Sequence, residues 1–321
     1  MSKIMFVGDV HIKGIAPASR KETPEQYREV ITNKIKSIEN ICERDNISNV
    51  IFLGDVYDNN TGINDELESD IWITLTDMRN KGIGIYSIIG NHDMYYNNEK
   101  DFKVTRLFKA FLGNIITHLD GITIDGVHIK GIDFGKDFVP AIQNNKYTIM
   151  VGHCFYENER FGGTGNGNLT HEKCIELGYK AYVLGHDHSP YPTVDVSGYK
   201  VIRPGSLTRG TSKTCNLYRK INVAVFDTET LEWSEIEIPS KPGNEVFLDK
   251  VIYNKSQTND IDLNSLIDQL IVKKNPDFYD YLDENRENAK VKFKDSYQDI
   301  ENILINHCEA FGIYRKVNDE N

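Results

Sequence analysis

The chain has no apolar run approaching the roughly 18 residues a membrane span requires, so nothing in it marks a bilayer-crossing segment. Its first residues, Met1 to Asp9, lack the long apolar core and small-residue cleavage site of a signal peptide, and strand-forming residues begin almost at once. A soluble, cytoplasmic protein without membrane contact is expected. Cysteines are few and unpatterned: Cys42, Cys154, Cys174, Cys215 and Cys308 are odd in number and show no C-x-x-C spacing. That argues against a disulfide framework and a structural zinc site, and leaves reduced thiols. Basic residues are outnumbered, 37 against 48 acidic, for a net charge of −11. A protein that coats nucleic acid by charge alone is disfavoured. A nuclease is not, because acidic metal ligands become a locally positive site once divalent ions bind. No repeat of solenoid period is present, and the one low-complexity tract is the glycine-rich stretch 161–168, read as a substrate-facing lid or a linker.

The 321 residues suffice for one large domain, or a main domain with a smaller appendage. Lys3 to Val7 reads as a buried strand running into Gly8-Asp9-Val10-His11. A helix follows over Thr23 to Cys42, with Pro24 just after a Thr23 N-cap. The strand Asn49 to Leu53 then ends in Gly54, Asp55 and Asp58. A second helix spans Asp65 to Asn80, and the strand Ile83 to Ile89 leads into Gly90-Asn91-His92-Asp93. This β-α-β-α-β order predicts a sheet with crossover helices whose C-terminal strand ends collect ligand groups.

From about Ile115 the strands shorten, and Gly121–Gly126 with Val127–Ile132 predict hairpins of a second sheet. Two later strands, Tyr147–Val151 and Ala181–Leu184, again end in a glycine and a ligand type, Gly152-His153 and Gly185-His186-Asp187-His188. Strands over Tyr199–Ile202, Ile221–Phe226 and Trp233–Ile238 close the main domain near Pro239, giving expected domains of 1–240 and 241–321. In the second, amphipathic helices are expected over Asp262–Val272 and Gln298–Phe311, packing on each other or docking on a partner.

The strand ends together supply Asp9 and His11, Asp55 and Asp58, Asn91, His92 and Asp93, His153, and His186 and His188. Carboxylate oxygens mixed with imidazole nitrogens suit Mn²⁺, Fe²⁺ or Zn²⁺, whereas Mg²⁺ and Ca²⁺ sites are nearly all oxygen. The ligands are too many for a single ion and suit a pair bridged by one carboxylate, for which Asp55 is the natural candidate. Asp93 stands next to His92 as a carboxylate able to orient its imidazole. His118, His128, His171 and His307 have no such context and read as ordinary residues.

The ordered series G-D-x-H, G-D-x-x-D, G-N-H-D, G-H and G-H-x-H resembles the calcineurin-like metallophosphoesterase superfamily. The resemblance implies an α/β fold: a four-layer αββα sandwich of two mixed sheets, with a smaller C-terminal α+β capping and partner-binding region. It implies one metal held by Asp9, His11, Asp55 and His188, and another by Asp55, Asn91, His153 and His186, with Mn²⁺ favoured. His92, paired with Asp93, would protonate the leaving oxygen while a hydroxide shared by the ions attacks phosphorus in line, and Asp58 would support from behind. Protein serine/threonine phosphatases carry an arginine after the second motif; here Asn59 and Asn60 stand there instead.

The short D-x-H start, the G-N-H-D motif, and Arg203 to Thr208 after the last motif are similar to SbcD-type DNA exonuclease subunits, phage-encoded ones included. That likeness implies DNA as substrate and an SbcC-type coiled-coil ATPase engaged by the region after about Gly243; it leaves homodimerisation open. Between Val196 and Val225 there is no acidic residue, while Lys200, Arg203, Arg209, Lys213, Arg219 and Lys220 are basic. This stretch reads either as a phosphodiester-binding surface or as a solvated loop paired with acids elsewhere. Rival readings are a small-molecule or cyclic-nucleotide phosphodiesterase, and a scaffold for the ATPase with incidental hydrolysis.

Overall fold

The computed structural model describes residues 2–59, 63–95, 98–142, 144–156, 169–196, 198–210 and 214–248. Loop 161–168, Lys213, His307 and both expected C-terminal helices lie outside the described residues. Strand β1 (Lys3–Val7) is followed by α1 (Pro24–Asp45), β2 (Ile47–Phe52), α2 (Asp65–Asn80) and β3 (Gly84–Ser87). Helix α1 starts where Thr23 and Gln26 cap each other reciprocally with Pro24 in the first turn, and it stops where Asn46 turns left-handed at φ 54°. Its buried face, Tyr27, Ile31, Ile35, Ile38 and Ile41, recurs at helical spacing and packs on the sheet.

After β3 come α3 (Arg106–Leu112), β4 (Thr117–His118), β5 (Gly121–Ile124), β6 (Val127–Ile132) and β7 (Tyr147–His153). The chain continues through α4 (His171–Leu177), β8 (Ala181–Gly185), β9 (Tyr191–Val196), β10 (Tyr199–Arg203), α5 (Thr214–Tyr218), β11 (Asn222–Asp227), β12 (Trp233–Glu237) and α6 (Gly243–Val246). Two six-stranded sheets result, ordered β12-β11-β1-β2-β3-β4 and β5-β6-β7-β8-β10-β9. Both are mixed: β1, β2 and β3 run parallel, as do β6, β7 and β8, while β11 lies antiparallel to β1. In the second sheet the expected tight hairpin holds for β5–β6 alone among the expected strands, because β6, β7 and β8 are joined by longer crossovers.

Strand alternation produces the layers. Met5 and Val7 of β1, with Val50 and Phe52 of β2, face α1 and α2. Their neighbours Ile4, Phe6 and Ile51 point the other way and meet Ile129, Val151 and Val183 of the second sheet. The far face of that sheet, Met150, Tyr182 and Leu184, is covered by Cys174 and Leu177 of α4. Helix, sheet, sheet and helix therefore stack as the αββα sandwich. Because Val7 pairs with Phe52 and Phe52 with Ser87, the three parallel strands of the first sheet end level, and His153 pairs with Gly185 in the second. Residues 243–248 pack on this unit, with Phe247 fully buried and bridged to Arg20.

Candidate metal centre

Most ligand segments leave their strands through a glycine, Gly8, Gly54, Gly90 or Gly185, where the chain approaches too closely for a side chain. A Cβ on Gly90 would lie 2.1 Å from Asp55 Oδ1, and one on Gly185 would lie 2.3 Å from the Leu53 carbonyl and 2.8 Å from Asp9 Oδ1. Three of the candidate ligands are held in left-handed backbone: φ is 51° at His11, 49° at Asp55 and 82° at His186. Such conformations persist only where the surroundings over-determine them. Here the amides of Val10 and His11 both donate to the Asp55 carbonyl, at 3.1 and 2.9 Å, and the His92 amide donates to Asp55 Oδ1 at 2.8 Å.

The structure brings Asp9, His11, Asp55 and His188 together with donor atoms within 4.8 Å of one another, and Asp55, His153 and His186 likewise. Asp55 belongs to both groups. Asn91 joins the second, its Oδ1 lying 3.0 Å from His153 Nε2. His153 Nδ1 donates to the Leu53 carbonyl at 2.7 Å, which fixes the tautomer and turns the Nε2 lone pair inward. His11 Nε2 stands 2.8 Å from His188 Nε2, a pair in which the tautomer decides which nitrogen donates, and Asp55 Oδ2 is buried without a hydrogen bond. Cations between such atoms satisfy them all, so the donor set fits two divalent ions sharing Asp55. Burial, then the charges of His188 and His92, holds the His11 pKa well below its usual value, keeping the imidazole neutral as a ligand must be. Burial alone would raise the Asp9 pKa; the His188 hydrogen bond and the surrounding imidazoles outweigh it and bring it to about 2.

The structure corrects the pairing expected for His92. Asp93 is fully buried, and its two oxygens accept the amides of Tyr57 and Gly90, each at 2.9 Å, so the carboxylate pins backbone and does not orient the imidazole. Burial and the neighbouring Asp55 charge push its pKa up to about 8 against those donors. The carboxylate facing His92 is Asp58: Oδ1 lies 3.5 Å from His92 Nδ1, and Oδ2 lies 3.3 Å from Lys13 Nζ. Asn59, where the phosphatases carry arginine, donates to the His92 and Asp93 carbonyls at 3.2 and 2.8 Å and fixes that turn. His92 remains part-exposed at the mouth of an otherwise buried cluster.

The basic stretch does not present one continuous surface. Arg209 is buried and donates to the Arg219 carbonyl at 2.9 Å, while Arg219 donates to Ser206 and Thr208 at 2.8 to 3.1 Å. Lys200 pairs with Asp195, and Lys220 with Glu237 at 2.6 Å. The two arginines satisfy backbone carbonyls of their own fold, and the two lysines pair with carboxylates of theirs. Arg203 stays part-exposed near the ligands, its guanidinium 4.3 Å from the Tyr191 ring and 5.4 Å from that of Tyr156. Sequence reasoning missed Lys13 and the aromatic wall of Phe134 and Phe155, whose ring centroids lie 5.5 and 4.3 Å from that of His186. Lys13 sits two residues beyond His11, a signal that could have been read; the phenylalanines carried none. His118, His128 and His171 bond to Asp133, Thr123 and Tyr199, away from the ligand groups.

A family model described as calcineurin-like phosphoesterase matches residues 2–190. Among solved structures, a dimetal phosphatase from Danio rerio is similar at 13% identity, covering 74% of this chain and 99% of its own, with a TM-score of 0.45. The hypothetical protein PH1004 from Pyrococcus horikoshii OT3 is 12% identical over 83% of this chain and 97% of its own, with a TM-score of 0.40. The phosphoesterase Yfce from E. coli is 13% identical over 74% of this chain and 100% of its own, with a TM-score of 0.35. Comparison with curated protein sequences finds no match.

Proposed function

Because the chain belongs to the calcineurin-like phosphoesterase family, and so is a metal-dependent phosphoesterase, we propose that it is a phosphodiesterase acting on DNA, the nuclease subunit of an end-processing complex. The observation that carries this reading is the Asp58–His92 pair at the mouth of the ligand cluster. A sugar oxygen is a poor leaving group, and its departure from a DNA diester at neutral pH is strongly assisted by a proton donor. Divalent ions held by Asp9, His11, Asp55, His153, His186 and His188, with Mn²⁺ favoured by the mixed nitrogen and oxygen donors, would lower the pKa of water and neutralise phosphate charge there. Water releases a proton to solvent as its oxygen adds to phosphorus, the bond to the sugar oxygen breaks with its electron pair, and His92 Nε2 delivers its own proton to that oxygen. Asp58 holds Nδ1 and stabilises the charged imidazole before transfer.

The likeness of the motif series to SbcD-type subunits supports DNA as substrate and an SbcC-type ATPase as partner for the region after about Gly243. A second reading, hydrolysis of small diesters, is favoured by one finding: Lys200, Arg209, Arg219 and Lys220 are occupied within the fold. The deciding experiment sets end-labelled linear duplex DNA beside a bis-aryl phosphodiester, in Mn²⁺, with Asp55→Ala as control. Degradation of both by the parent and neither by the control supports the nuclease; cleavage of the aryl diester alone selects the small-molecule reading.

A further inference from the structure

A cavity of about 190 Å³ lies between α1, the segment before it, and the residues following β12. At about 30 Å³ per water it holds several waters, or one tetrahedral oxyanion. Arg20, Lys34, Arg209 and Lys241 line it, and among the described residues Glu22 is its one carboxylate. Glu22 is already committed: Arg20 grips both its oxygens, at 2.7 and 3.0 Å, while the third arm of Arg20 donates to the Arg209 carbonyl at 2.8 Å. Lys34 and Arg209 are each 5% exposed, and among the described residues neither Lys34 Nζ nor Arg209 Nε and Nη1 has a hydrogen-bond partner. Arginine does not shed its proton, so Arg209 keeps its charge in that interior. A buried cation without a counter-ion is destabilising by several kcal/mol, and the anion that relieves it here comes from outside these residues.

We propose that this cavity is a binding site for a phosphate-class oxyanion, either inorganic phosphate or the phosphate of a mononucleotide. Lys34 and Arg209 supply the charge-assisted donors from within, and exposed Lys241 stands at the opening. Val30, Pro239 and Val246 give an apolar wall suited to the body of a nucleotide. The site is independent of the hydrolysis reading, since none of its residues lies among the metal ligands. An anion bound there would sit two residues from Leu207, whose amide holds the Asp9 carbonyl at 2.8 Å.

The test uses the full chain carrying Asp55→Ala, in EDTA, so that the metal centre takes up no phosphate. Equilibrium dialysis with radiolabelled inorganic phosphate, against chloride of matched ionic strength, is expected to show saturable binding that raises the melting temperature. Lys34→Met keeps the side-chain volume; it is expected to melt higher than the parent without phosphate and to bind phosphate at least about tenfold more weakly. Lys241→Glu, at an exposed position with little risk to folding, is expected to weaken binding severalfold. A mononucleotide arm tells the sources apart: tighter binding than inorganic phosphate assigns the apolar wall to the nucleoside, and equal binding assigns the site to free phosphate. No saturable binding by the parent, or binding unchanged in both Lys34→Met and Lys241→Glu, overturns the proposal.

Discussion

His92 Nδ1 lies 3.5 Å from Asp58 Oδ1, close enough for the carboxylate to orient the imidazole. If His92 protonates the leaving oxygen, its importance scales with how badly that oxygen needs a proton. His92→Asn is expected to lower kcat on DNA by about 10²–10⁴-fold, with a much smaller loss on a bis-aryl diester whose phenolate leaves unaided. Asp58→Asn should show the same preference at lower amplitude. Single-turnover rates on the two substrates check this, and equal losses on both would remove the proton-donor role.

Asp93 is adjacent in sequence yet answers to stability. Its oxygens satisfy the buried amides of Tyr57 and Gly90. Asp93→Ala strands both, at about 1–3 kcal/mol for each unsatisfied group. A fall in the urea midpoint is expected, together with loss of metal through displacement of the Asn91 turn. The urea midpoint of Asp58→Asn is expected to change far less, which separates the two carboxylates.

The contrast between these aspartates marks what the sequence could and could not reveal. Asp9, His11, Asp55, Asn91, His153, His186 and His188 were legible because each follows an apolar strand and a glycine, and level strand ends gather whatever stands there. Which carboxylate turns toward His92 was not legible: it depends on the left-handed turn at Asp55, φ 49°, and on the Asn59 side chain bonded across to His92 and Asp93. Helices α1 and α2 were legible from their caps and periodic apolar stripes, whereas α3 and α4, of seven residues each, are too short to establish a period. Strand β9 escaped notice because it lies at a sheet edge with no buried residue. The basic stretch misled for a related reason: charge composition says nothing about whether an arginine faces water or, as with Arg219, its own backbone.

Asp55 belongs to both ligand groups, so its removal should affect both ions together. Asp55→Ala, dialysed against Mn²⁺ and measured by elemental analysis, is expected to retain neither ion. His188→Ala and His153→Ala, each confined to one group, are expected to weaken one ion while the other stays. Equal partial loss in all three variants would argue against a shared bridge.

Close backbone approach gives a different prediction. Gly185→Ala places a methyl 2.3 Å from the Leu53 carbonyl, a rigid backbone atom, and 2.8 Å from Asp9 Oδ1. Overpacking of this kind costs about 1–3 kcal/mol, and relief by moving Asp9 sacrifices a ligand. Lower stability with weakened metal binding is expected; Gly178→Ala, with open space around it but a left-handed φ of 74°, should lose stability alone.

The acid-side stability of the fold carries a mark of His118. Its Nε2 lies 3.0 Å from Asp133 Oδ2, and Asp133 Oδ1 also accepts the Ile89 amide at 2.8 Å, just ahead of the Gly90–Asp93 turn. The hydrogen bond to Asp133 raises the His118 pKa, partly opposed by burial. A raised folded-state pKa means that the native state binds the proton more tightly, so the pair stabilises fully below the unfolded value of about 6.5. That contribution fades as the pH climbs through the folded-state value. The side chain is 40% exposed, so solvent limits the effect to about 0.2–1 kcal/mol. His118→Gln is expected to lower the urea midpoint relative to the parent at pH 5.5 and to match it at pH 8.5. A gap that is constant across that range would mean His118 contributes by packing on Phe111, 5.3 Å away between ring centroids, and not by its charge.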